Sequence, residues 1–120
     1  MRLAKPIPIF RIFDETLARA FYRDYLGFSV VWEHRFDPAA PLYMEIERDG
    51  ATLHLSEHSE DATPGATARV AVDDLRGFHA ELSAKPYRYA RPGIVSQPWG
   101  VDEMKISDNF SNALIFFQER

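Results

Sequence analysis

The sequence predicts an α+β fold in which one βαβββ unit occurs twice. Residues Pro8-Ile-Phe-Arg-Ile-Phe-Asp14 form an apolar run that stops at an Asp and enters a helical pattern, and Ala68-Arg-Val-Ala-Val-Asp73 repeats that arrangement about half a chain later. Between the copies, His58-Ser-Glu-Asp-Ala-Thr-Pro-Gly65 is polar and carries Pro and Gly, the signature of a linker. The chain has 120 residues, enough for a real core but not for two independent domains. Two copies of a supersecondary unit must therefore share one domain, and the cleft they enclose is the natural ligand site.

In the first run Ile7, Ile9, Arg11 and Phe13 alternate with Pro8, Phe10 and Ile12, the period of a strand whose two faces are both largely covered. Pro8 cannot donate to a ladder, which places the strand's start at a sheet edge or across a partner. Asp14 offers an N-cap oxygen; Leu17, Ala18, Phe21, Tyr22 and Tyr25 mark one helical face, and Gly27 closes the helix. Phe28 to Phe36 is β-rich and is broken by Asp37-Pro-Ala-Ala-Pro41. Leu42 to Glu47 and Ala51 to Ser56 then form a hairpin around Asp49-Gly50.

The second copy starts after the linker. Asp73-Asp74 caps a helix carrying Leu75, Phe78 and Leu82 that closes before Pro86, with Lys85 at its negative end. A short segment near Tyr87 to Tyr89, a break at Arg91-Pro-Gly93, a strand through Met104 and Ile106, a turn at Asp108-Asn-Phe-Ser-Asn112 and a strand from Ala113 to Gln118 complete it. Module 1 covers about residues 6–58 and module 2 about 66–118.

Composition excludes several classes. The chain is 46% hydrophobic and 27% charged, has no run near the ~20 apolar residues of a membrane span, and begins without the apolar stretch of a signal peptide. A cytoplasmic location is expected. No cysteine is present, which removes disulfides, zinc-cysteine sites and thiol nucleophiles. The net charge is -4 without a Lys/Arg cluster, so neither nucleic acid nor an anionic membrane is an expected partner.

The element order, with Phe21-Tyr22-x-x-x-Leu26-Gly27-Phe28, resembles the vicinal-oxygen-chelate superfamily of glyoxalase I, extradiol dioxygenases and bleomycin-resistance proteins. Gln97-Pro98-Trp99-Gly100 and the strand-opening Pro8 are most similar to the bleomycin-resistance branch. Trp32-Glu-His-Arg-Phe36, Leu53-His-Leu-Ser-Glu-His58 and Arg91-Pro-Gly-Ile94 extend the likeness to bacterial proteins of the same superfamily. The resemblance implies a cupped mixed sheet, a homodimer with ligand sites at its interface and, with Pro8, exchange of the N-terminal strand between subunits.

Enzymes of that superfamily hold a divalent metal at four positions, which by the resemblance fall here on Ile7, His54, Thr67 and Ile115. Only His54 can ligate, whereas a catalytic metal needs roughly three nitrogen or oxygen ligands. The resemblance therefore implies no metal and no cofactor. His54-Leu-Ser-Glu-His58 also fits an inverted zinc-protease string, but that motif works on a helix. In a strand the two histidines would lie ~13 Å apart. No serine elbow, Walker loop or dinucleotide glycine pattern occurs.

Candidate ligand contacts follow from position. Trp99, between Pro98 and Gly100, either overhangs the cup mouth to stack on a planar or cationic ligand or packs a dimer interface. Trp32 and His34 share strand parity and form a stripe with Phe36, lining the cleft if that face is concave and the core if not. His54 either meets ligand or is a neutral imidazole bonded to a neighbour. His58 and His79 are expected on a loop and a solvated helix face. Arg11 and Arg69 are read as equivalent in the two copies and aimed at one cavity; they either clamp an anion or are internally ion-paired. Glu45 and Glu103 can neutralise them. In the turn before the last strand an Asn takes the left-handed role usual for Gly, and Ile115 and Phe117 line an apolar floor.

The function so expected is non-catalytic sequestration of a bleomycin-like molecule by Trp99, Trp32, His34, His54, Glu103 and Phe117 in a dimer-interface cleft. The alternatives are a metal-dependent lyase or dioxygenase with ligands from His34, His54, Glu45 or Glu103, and a module binding a small anionic metabolite through Arg11 and Arg69.

Overall fold

The computed structural model describes all 120 residues. Its first sheet contains β1 (Ile9–Arg11), β2 (Ser29–His34), β3 (Tyr43–Arg48) and β4 (Ala51–Ser56) in the order β1-β4-β3-β2. Its second contains β5 (Thr67–Ala71), β6 (Val95–Ser96), β7 (Val101–Ser107) and β8 (Ala113–Glu119) in the order β5-β8-β7-β6. In each sheet the first strand runs parallel to the last and the other pairs are antiparallel. A parallel pair needs a crossover, and each unit places its helix near the start of that connection.

Local signals explain most boundaries. Asp14 Oδ1 accepts from Leu17 N at 2.9 Å and starts α1 (Glu15–Ala18), while Asp74 Oδ1 accepts from Gly77 N at 2.9 Å and starts α2 (Leu75–Ser83). From Arg19 to Tyr25 the first helix widens into π-helical winding, a change that the regular spacing of its apolar residues does not signal. Gly27 ends it at φ 80°, where an added Cβ would lie 2.7 Å from Arg48 Nη1. At the β3–β4 turn Asp49 and Gly50 both have positive φ, 52° and 86°, as a two-residue hairpin loop requires. Glu47 Oε1 accepts from Gly50 N at 2.6 Å and holds that loop.

Alternation then sorts the strand residues. Phe10, Ile12, Met44, Ile46, Leu53 and Leu55 of the first sheet face its helix, and Met104, Ile106, Leu114 and Phe116 of the second do the same. Together with Phe21, Tyr22, Tyr25, Leu75 and Leu82 they belong to one cluster of 20 buried residues, so both units share a single core. Across the boundary Tyr22 Oη donates to Asp108 Oδ2 at 2.5 Å, Asn112 Nδ2 donates to Arg11 O at 2.7 Å, and Tyr25 stacks on Tyr87 at 4.4 Å between centroids.

Four expectations need correction. The short strand of the second unit is β6 at Val95–Ser96, not the segment 87–89. There, Tyr87 lies over Tyr25, and its amide closes a turn onto Lys85 O. The left-handed residue before β8 is Ser111, φ 71°, whereas Asn112 is fully buried and uses its amide to bond Arg11 O. β1 is an edge strand, as Pro8 requires, but its outer face is open: Ile7 is 43% exposed and Phe13 56%.

The fourth concerns the arginines. Ile12 N donates to Ser56 O just as Val72 N donates to Phe117 O, so these residues correspond between units. With β1–β4 and β5–β8 aligned on them, Ile7 matches Thr67 and His54 matches Ile115, but Arg11 matches Ala71 and Arg69 matches Ile9. The arginines share a face type, not a position, and within one chain they lie on separate sheets.

Candidate functional site

On the first sheet the face away from the helix carries the most developed constellation. Strand register sets Glu45 opposite His54, Trp32 opposite Glu45, and His34 opposite Tyr43. An irregularity between Val30 and Trp32 brings Trp32 and His34 onto this face. His54 Nδ1 lies 2.6 Å from Tyr43 Oη and its Nε2 2.9 Å from Glu45 Oε1, a continuous Tyr43–His54–Glu45 chain. The Trp32 ring is stacked on Tyr43, with centroids 5.8 Å apart and planes 10° apart, and meets His54 edge-on at 5.3 Å.

A cavity of about 500 Å³ opens over this chain, lined by Trp32, His34, Phe36, Tyr43, His58, Glu60 and Asp61. Phe36 meets His34 edge-on at 4.9 Å and His58 at 6.1 Å. Asp61 is anchored, because its Oδ2 accepts from Ser56 Oγ at 2.7 Å. Burial, and then the negative charges of Asp61 and Glu45, push the Tyr43 phenol above its ordinary pKa. It therefore remains protonated at neutral pH and serves as a hydroxyl, not a phenolate.

The second sheet's open face is simpler. Arg69 Nη2 lies 2.7 Å from Glu103 Oε2, and the guanidinium covers the Phe117 ring at 4.6 Å. Glu103 is only 9% exposed, and its Oε1 accepts from Gln97 Nε2 at 3.2 Å. The Arg69 contact is near enough to be ionic but is not aligned as a hydrogen bond, so buried Oε2 has no hydrogen-bond donor in the chain. Trp99 is 65% exposed in the turn before β7, where Gly100 has φ 93°.

The sequence-selected residues thus divide between two sheets. Trp32, His34 and His54 gather on the first, and Arg69, Glu103 and Phe117 on the second, with Trp99 in the β6–β7 turn. Arg11 turns away: its guanidinium donates to Ile12 O at 3.0 Å and lies over Phe13 at 4.3 Å. His58, expected in an uninvolved loop, lines the cavity, and His79 is not free in solvent but bonds Pro92 O at 3.1 Å. Tyr43 was missed as a site residue although its strand parity with Glu45 places it beside His54. Glu60 and Asp61 belong to the linker, where no periodicity points to a cavity.

The metal positions implied by the superfamily do not fit an ion here. Ile7, Thr67 and Ile115 supply at most one weak hydroxyl donor, and both ring nitrogens of His54 are engaged by Tyr43 and Glu45. No three His, Asp or Glu side chains are placed to hold a metal ion together. A second cavity of about 400 Å³ lies on the helix side between the units, lined by Phe28, Ala51, Val72 and Phe78 among others. Its Arg48 is already committed to Glu81 at 2.8 and 2.9 Å and to Leu26 O at 2.6 Å.

Paired βαβββ units around one core, each with an open sheet face, define the class of α+β protein. Solved structures of this class cover the chain almost end to end. A bleomycin-binding protein complexed with bleomycin matches at TM-score 0.70 and 21% identity over 98% of this chain and 100% of its own. A bleomycin resistance determinant encoded on the transposon Tn5 matches at TM-score 0.73 and 19% identity, covering 98% and 99%. A glyoxalase-related enzyme from Clostridium phytofermentans matches at TM-score 0.75 and 16% identity, covering 100% and 98%. Residues 1–120 match the family model described as glyoxalase superfamily protein, and the chain belongs to that superfamily. No curated protein matches the sequence.

Proposed function

We propose that this chain is a non-catalytic binding protein that sequesters a small drug-like molecule in a cleft completed by a second copy. The observation that carries the reading is the cavity walled by Trp32, Phe36 and Tyr43 above a histidine with no free ligating nitrogen. Such a wall supplies affinity through aromatic burial, and the polar chain beneath it sets orientation. The bleomycin-binding and bleomycin-resistance proteins of the same fold support the ligand class.

Dimerisation is supported by what one chain leaves uncovered. Ile7, Ile9 and Phe13 on the edge strand and Val95 and Trp99 on the second unit are all substantially exposed. A partner copy that brings its second sheet against the first would cover them and place Trp99 opposite Trp32. Exchange of the strand behind Pro8 is one route to that assembly.

Titration with metal-free bleomycin tests the reading. Tryptophan fluorescence should change saturably, and Trp99→Ala should weaken binding by about tenfold, the order expected for loss of one stacked aromatic. Fluorescence unchanged at high drug concentration would remove the drug class, and stoichiometric metal in the purified protein would favour the lyase or dioxygenase alternative. An anionic ligand gripped by Arg11 and Arg69 is disfavoured, since Arg69 is paired with Glu103 and Arg11 is folded onto Phe13.

A further inference from the structure

The hydrogen bonds beneath the first cavity select the polarity of what enters it. Glu45 is acceptor-only when ionised, so the His54 Nε2 facing it at 2.9 Å carries the proton. In a neutral imidazole Nδ1 is then an acceptor, and the contact at 2.6 Å requires Tyr43 Oη to donate its proton to that nitrogen. The only hydrogen-bonding capacity Tyr43 retains for the cavity is its lone pairs. Glu60 and Asp61, lining the same cavity, are acceptors as well. His34 and His58 carry one donor and one acceptor each when neutral and do not alter this balance.

We infer that this cavity takes a planar organic cation rich in N–H donors, an amidinium or guanidinium, sandwiched against Trp32 and Phe36 and bonded to Tyr43 Oη and the Glu60/Asp61 carboxylates. The inference rests on the reading of this face as the ligand site. It makes Tyr43 the specificity-determining residue and His54 and Glu45 positioning residues that hold the phenol's proton inward. Cation–π attraction to the aromatic wall and the acidic mouth favour a positive charge, while an anion would face the Glu60 and Asp61 carboxylates and find donors only on the Trp32 indole and the His34 and His58 rings.

The test uses benzamidine, benzamide and benzoate, three rings of nearly one size that differ in charge and donors, followed by the Trp32 indole N–H and the histidine ring nitrogens in NMR. Benzamidine should bind at least about tenfold more tightly than benzoate, with benzamide between them, as expected for charge-assisted bonds. The neutral Nε2–H form of His54 should be seen at neutral pH. Tyr43→Phe keeps the ring on Trp32 and removes the acceptor, and should lower benzamidine affinity by about tenfold.

Benzoate binding as well as benzamidine overturns the inference, as do a doubly protonated His54, no response of Trp32 to any probe, or an unaffected Tyr43→Phe variant. Failure of bleomycin to bind while benzamidine selectivity holds would remove the proposed drug and leave the cation site. Bleomycin binding without that selectivity would do the reverse.

Discussion

The two open sheet faces share one topology and almost no chemistry. Where the first unit has His54, Tyr43 and Glu45, the corresponding residues of the second are Ile115, Glu103 and Lys105. Uncharged and charged groups form a lateral relay on the first face beneath Trp32, whereas the second closes on itself through the Arg69–Glu103 pair over Phe117. The helix-facing sides differ less: Phe10 and Leu55 match Val70 and Phe116, apolar in both units. An exception is Asp102, which stands where the first unit has Leu42. Duplication preserved what the shared core needs and left the outer faces free to diverge, because only core residues answer to packing from both units.

The largest test of that contrast is in the core. Leu55→Ala and Phe116→Ala remove corresponding side chains and should each cost about 3 kcal/mol or more in denaturant unfolding, in one cooperative transition. Two separated transitions would show that the units have independent cores and would break the comparison. Next comes the seam between units, where Tyr22→Phe should cost about 1–2 kcal/mol by deleting the buried bond to Asp108. A neutral outcome would assign that seam to packing alone.

The polar exception has a pH signature. Bonds from Ser96, then Arg120 and Arg76, hold the Asp102 carboxyl down to about 2. A depressed folded pKa contributes stability above the ordinary carboxylate pKa of about 4 and loses it as pH falls from about 4 to about 2. Melting temperature should drop through that window, and Asp102→Asn should lower stability at neutral pH while flattening the decline. A decline unchanged in the variant would place the acid sensitivity elsewhere. At the small end, Glu33→Ala breaks a surface pair with Arg19 and should cost no more than about 0.5 kcal/mol. A larger loss would mean that the rim of the first face is stiffer than its exposure suggests.

Much of this was legible before any coordinates. Asp14, Asp74, Gly27 and Asp49-Gly50 act within a few residues of themselves, so capping and turn chemistry locate the elements they bound. Strand parity separated Phe10 and Ile12 from Ile9 and Arg11 for the same local reason. Short strands were harder: a two-residue β6 leaves no period to read, and the aromatic run 87–89 has strand-like composition but is taken by Tyr25. The arginine correspondence failed on the count itself: Arg11 lies four residues after Ile7 but Arg69 only two after Thr67, which leaves the two arginines one same-face step apart in register.

By itself the sequence determined the twice-repeated βαβββ order and restricted the start of β1 to a sheet edge or a partner, both from residue type and local period, while the lack of a ligand set at Ile7, His54, Thr67 and Ile115 is what the family resemblance implies. Only the tertiary structure decided that His54 spends both ring nitrogens on Tyr43 and Glu45, that Glu60 and Asp61 of the linker reach the cavity, and that the two open faces remain apart within one chain. Those facts are distances between residues remote in sequence, set by how two sheets and a shared core come to rest, and no local preference encodes them.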